Sequence, residues 1–342
     1  MMAARGVGEP RIDVILGRCD DMRAEVYVRA TGLPATAEPV MISGTLTGPE
    51  SKLAITLPTS ARLVDLGGSP PLARGILTEP GYWTPELPHR YRLEAEVRAE
   101  GVVVAACDRL VGLRRLGVRG RSLWLEGRRW VPRGVACAAG DVEPALFREL
   151  LAAAVLDDPV EAICTAADEA GVAIIARCGG DPLAGCLRWA EHPSVMLAVL
   201  PRGLAAADMT AVTGALRSHK GTLLVAVEAA GTEPPPEVPE GIDCVVMSLA
   251  AGAVPHEAWR VPHEAWREPH EASRKPVPVL AARAAEGGVR DRRSACDLLQ
   301  AALAAWRGDA AWDWAGYLQL SGAVFQHAAG ARAAAGQRSV TA

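Results

Sequence analysis

The chain has 342 residues, half of them apolar and about a fifth charged, with a formal net charge of −4. That length suffices for two domains. The balance suits an ordinary soluble globular protein and supplies no basic field for nucleic acid or anionic lipid, so neither nucleic acid nor membrane is an expected partner.

The start, "MMAARGVGEPRIDV", lacks the apolar core of a secretory signal. No stretch reaches the roughly 18 apolar residues of a membrane span. Eight cysteines lie far apart with no CxxC pair, which predicts buried free thiols and a cytoplasmic protein. The three lysines, Lys52, Lys220 and Lys275, are far outnumbered by scattered arginines, a bias of coding rather than of function.

Up to about residue 120 the sequence alternates in short segments: "RIDVILGRC", "MRAEVYVRA", "VMISGTLTG", "KLAITLP", "YRLEAEVRA" and "VVVAACDRLV". In "YRLEAEVRA", Leu93, Ala95 and Val97 share one face while Arg92, Glu94 and Glu96 share the other, the period of a half-exposed antiparallel strand. Spacing near ten residues, with Gly and Pro between, predicts a β-sandwich over residues 1–120.

After Arg121 short apolar runs alternate with helical stretches. The runs are "WVPRGVAC", a short one near "LLAAAVLDD", "GVAIIARC", "SVMLAVLP", "TLLVAVEA", "DCVVMSLA", "PVPVLAAR" and "AGYLQLSG". Helical patterns include "EPALFRELLAAA", "PVEAICTAADEAG", "AADMTAVTGALRSHK" and "RSACDLLQAALAAWRG". Eight strand–helix units over residues 121–327 predict a compact TIM (β/α)8 barrel, and no Gly-rich phosphate loop follows the first strand as an open doubly wound sheet would favour. The tail, residues 328–342, reads as flexible.

At the junction of the two halves, "GYWTPELPHRYRLEAEV", "DRLVGLRRLGV" and "LWLEGRRWVPRGVAC" resemble the family 2 glycoside hydrolases, the β-galactosidase and β-glucuronidase group. The matching residues are Trp83, Pro85, Pro88 and Tyr91, then Asp108 and Gly112-Leu113-Arg114, then the hairpin from Leu123 to Arg128 with Glu126 in place of Asn. "AADEAGVAIIAR", "HPSV", "KPVPVLAAR" and "AGYLQLSG" extend the likeness through the third, fourth, seventh and eighth barrel strands. The resemblance implies an immunoglobulin-like β-sandwich followed by the barrel, and a chain truncated by the family's amino-terminal sugar-binding sandwich.

The resemblance also implies two glutamates, at the ends of strands four and seven. A retaining glycosidase needs two carboxylates about 5–5.5 Å apart, one as acid/base and one as nucleophile. Here the matching positions hold Arg202-Gly203 and Ala281, and no Asp or Glu occurs between Glu191 and Asp208 or between Glu271 and Glu286. The family's Asn-x-x-Arg-x-x-His segment is reduced to Val155-Leu156-Asp157-Asp158-Pro159, and "YLQLSG" lacks the Trp often found there. The expectation is a degenerate, non-catalytic pseudo-glycosidase that binds a carbohydrate or a protein partner. The alternatives are a hydrolase with relocated acids, Glu228 with Asp157 or Asp158, and a structural partner of a catalytic subunit.

The barrel-mouth candidates are therefore Asp157, Asp158, Arg202 and Glu228, with no cofactor and no metal expected. Three copies of a seven-residue unit in "VPHEAWRVPHEAWREPHEASR" carry His256, His263 and His270. On a helix those histidines would lie about 10.5 Å apart, too far to share one zinc, and each copy has a helix-breaking Pro. A local duplication is the plainer account, with Trp259 and Trp266 predicted to form an exposed apolar surface. Cys164, Cys178 and Cys244 have no histidine at matched spacing and read as inert core thiols.

Overall fold

A computed structural model describes residues 10–33, 39–219, 222–234, 236, 238–256, 259, 277–306 and 313–321. Eight strands form the amino-terminal part: β1 (Arg11–Cys19), β2 (Arg23–Thr31), β3 (Val40–Glu50), β4 (Thr59–Arg62), β5 (Val64–Gly67), β6 (Leu72–Thr78), β7 (Arg90–Ala99) and β8 (Val102–Val111). They make two antiparallel sheets, ordered β1-β2-β6-β5 and β4-β3-β7-β8. Alternate apolar residues of β2, β3, β6 and β7 turn inward, so Val26, Val28, Ile42, Leu46, Leu77 and Leu93 pack into one core between the sheets.

The segment "KLAITLP", expected as a strand, is not one. Leu53, Ile55 and Leu57 are exposed, and the strand begins after it at Thr59. Its period of two had no ladder to join, because β3 is already flanked by β4 and β7. β5 and β6, passed over in the sequence, complete the first sheet.

A three-stranded sheet follows: β9 (Leu116–Arg119), β10 (Ser122–Leu125) and β11 (Arg128–Trp130), in the order β11-β10-β9. Its inward residues Leu116, Leu123 and Leu125 pack with Ala153, Ala173, Met196, Leu224 and Cys244, at the amino ends of the barrel strands. The small sheet thus closes the barrel base.

The barrel consists of β12 (Arg133–Ala136), β13 (Ala153–Asp157), β14 (Ile174–Arg177), β15 (Val195–Leu200), β16 (Leu224–Ala230), β17 (Cys244–Leu249), β18 (Val279–Ala284) and β19 (Trp314–Leu320). All eight are parallel, and β12 pairs with β19 to close the ring. Every residue of β15 is buried, as its unbroken apolar run predicted. Helices α1 (Pro144–Glu149), α2 (Glu161–Ala170), α3 (Pro182–Trp189), α4 (Ala206–Ala215) and α5 (Val289–Leu303) cover the outside. The complement is sparser than the sequence pattern predicts, since the connection from β16 to β17 has no helix among the described residues. The tail at 328–342 lies outside the described residues. No described helix is long and apolar enough to cross a membrane.

Several of the residues that carry the family resemblance, among them Trp83, Gly112, Arg114, Asp168 and His192, meet at one buried seam between sandwich and barrel. Trp83 is fully buried in the core of the barrel base, and its Nε1 donates to the Asp168 carbonyl at 2.9 Å. The Asp168 carboxylate accepts from Ser194 N at 2.8 Å and pairs with His192 Nδ1 at 2.7 Å, while Glu161 lies 3.0 Å from His192 Nε2. Arg114 donates to the carbonyls of Pro193 and Val195. Burial lowers its pKa to about 9, an effect that Asp168 opposes. Gly112 has no side chain because a Cβ there would overlap the Pro193 ring. Nearby, Glu191 takes Arg11 and Arg109 of the sandwich at 2.6 Å each.

Burial works against the charged His192 imidazolium, but the hydrogen bond and charge of Asp168, backed by Glu161, outweigh it and raise its pKa above the ordinary value. The folded chain therefore holds this proton more tightly than the unfolded one. The stabilisation is full below about pH 6.5 and is lost as pH rises through the folded-state value. Thermal unfolding followed from pH 5 to 9 is expected to show a Tm advantage of the native chain over His192→Gln that shrinks with rising pH. A gap that is constant with pH would mean that His192 holds no extra proton.

Candidate functional site

Sites in closed parallel barrels form beyond the carboxyl ends of the strands. Strand alternation decides which side chains reach that rim. In β13, Val155 belongs to the barrel interior and Leu156 to the helix side, so Asp157 points inward. By the same count Arg177 of β14, Glu228 of β16 and Ser248 of β17 face the mouth.

These four join in one network. Arg177 donates from Nη1 to Asp157 Oδ1 at 2.8 Å and from Nη2 to Glu228 Oε2 at 3.3 Å. Ser248 Oγ donates to Glu228 Oε1 at 2.8 Å. The Glu228 side chain is only 14% exposed and that of Asp157 is 62% exposed, so the network runs from the barrel interior to solvent.

The other candidates are engaged elsewhere. Asp158, with a positive φ of 43°, uses its carboxylate to accept from Gly179 N at 3.0 and 3.1 Å, which fixes the loop after β14. Arg202 pairs with Glu233. Gly203, also at positive φ, lies in an exposed turn with open space where a Cβ would be. Ala281 packs on the helix side of β18, so a carboxylate at that position would point away from the barrel interior. The inward residue at the end of β18 is Ala284, three positions on.

Hydrolysis by paired carboxylates requires one to carry a proton and the other to stand free for attack or charge stabilisation. Here the guanidinium of Arg177 stands between Asp157 and Glu228 and binds both. Such an arrangement offers donors and acceptors to a polar ligand rather than a free acid and a free base. Arg177 and Ser248 were missed in the sequence. Counting alternate residues along "GVAIIARC" places Arg177 inward, but nothing local says which acids it meets.

The cysteines are free thiols, five buried and three half-buried. Burial raises Cys164 and Cys296 to about 12 and pushes Cys244 well above its ordinary value, which disfavours nucleophilic thiolates. Trp259 corrects an expectation: it is buried, and its Nε1 donates to the Glu233 carbonyl, because the indole completes the helix-side core. Trp266, His263 and His270 lie outside the described residues.

No family model matches the sequence, and no curated protein matches it. Solved structures do match. An FMN-binding β-glucuronidase from Faecalibacterium prausnitzii superposes with a TM-score of 0.60 at 15% identity, over 90% of this chain and 54% of that one. A β-D-glucuronidase from Dictyoglomus thermophilum gives 0.58 at 12% identity, over 91% and 61%. The Bifidobacterium dentium β-glucuronidase gives 0.57 at 14%, over 92% and 61%. The chain spans about half the length of the first structures it matches. At these identities the likeness is one of fold, that of the family 2 glycoside hydrolases.

Proposed function

We propose that this chain is a non-catalytic pseudo-glycosidase, a degenerate relative of the family 2 glycoside hydrolases, whose barrel mouth binds a carbohydrate or a protein partner. The observation that carries this reading is Arg177 bound to both mouth carboxylates, Asp157 and Glu228. In this reading residues 1–120 are an immunoglobulin-like sandwich and residues 121–327 a compact TIM (β/α)8 barrel. The eight free thiols support a cytoplasmic location.

The second reading, hydrolysis by relocated acids, draws on the proximity of Glu228 and Asp157 through that same arginine. Purified protein assayed on chromogenic β-galactosides, β-glucuronides and β-mannosides is expected to give no turnover above buffer while remaining folded by circular dichroism. Turnover that disappears in Glu228→Gln would overturn the non-catalytic reading.

A further inference from the structure

At the barrel base, the end opposite Asp157 and Glu228, a cavity of about 300 Å³ opens between β1 and the small sheet. Trp124 forms one wall, with Arg119 stacked 4.7 Å from its ring centroid. Across the strands Trp124 faces Gly117 on β9 and Arg129 on β11. No atom lies within 4 Å of where a Cβ on Gly117 would be, so that flank of the indole is open. Arg115, on the same wall, is matched by Glu126 and Asp21.

The other cations are not matched. Among the described residues Arg119, Arg121, Arg128 and Arg129 make no ion pair, and the Trp124 indole N–H has no hydrogen-bond partner. Arg114 also borders the cavity, but its guanidinium is turned to the Pro193 and Val195 carbonyls. Buried donors without acceptors are uncommon in folded chains, and an aromatic face beside unmatched guanidinium groups is a setting for an anion that carries a ring. The volume sits at the small end of ligand pockets.

We propose that this cavity binds a small ring-bearing organic anion, its ring against Trp124 and its carboxylate or phosphate on Arg119 and Arg129. The site is separate from the barrel mouth. Isothermal titration of the intact chain with galacturonate, glucose 6-phosphate, glucose and inorganic phosphate tests it. At least one of the two ring anions is expected to bind, and which one does tells a sugar acid from a sugar phosphate. Glucose and phosphate alone should each bind about tenfold more weakly or worse. Arg119→Gln with Arg129→Gln, both at exposed positions, should weaken binding of the ring anion about tenfold or more, as should Trp124→Leu. The proposal falls if neither ring anion binds the folded chain, if phosphate alone binds as tightly, or if the arginine double variant binds like the native chain. Loss in Glu228→Gln with retention in the arginine variant would assign the binding to the mouth instead.

Discussion

Replacing Trp83 with alanine is expected to destabilise the chain by about 3–5 kcal/mol, the usual cost of emptying a large buried aromatic site. The indole is fully buried among residues of the barrel base, although it belongs to the sandwich, in the connection from β6 to β7. Its loss also leaves the Asp168 carbonyl without the Nε1 donor, which adds a desolvation cost. Urea unfolding followed by far-ultraviolet circular dichroism should show a lower midpoint with the slope retained. An unchanged midpoint would show that the sandwich and barrel do not depend on this contact.

Asp168→Ala is the second large effect. One carboxylate serves Ser194 N and His192, and it faces the buried charge of Arg114. Removing one member of a buried charged set leaves the others uncompensated, and the expected loss is again about 3–5 kcal/mol. The variant should also lose most of the pH-dependent part of stability attributed to His192, because the main support of its raised pKa is gone. A double-mutant cycle with His192→Gln measures the coupling, which should be near zero only if the two side chains act independently.

The barrel was legible because its strands are buried on both faces, so "VMLAVL" and "CVVMSL" stand out as apolar runs against the polar loops around them. The long strand β7 was legible from its alternation. "KLAITLP" shows the limit of that signal: alternation marks a chain that can be a strand, while pairing depends on a free edge elsewhere in the fold. At the mouth, Asp157 and Glu228 were identifiable as strand ends, but Arg177 between them depends on the closure of the ring and is invisible locally. Ala281 was matched by spacing from Lys275-Pro276, a count that does not fix which face of β18 a residue takes.

The seam draws its parts from segments near residues 83, 114, 168 and 192, so no portion of the chain can assemble it alone. On the ribosome Trp83, in the connection from β6 to β7, emerges well before Asp168, and Pro193 later still. Until the fourth barrel strand is made, Trp83 and Arg114 lack the partners that bury them.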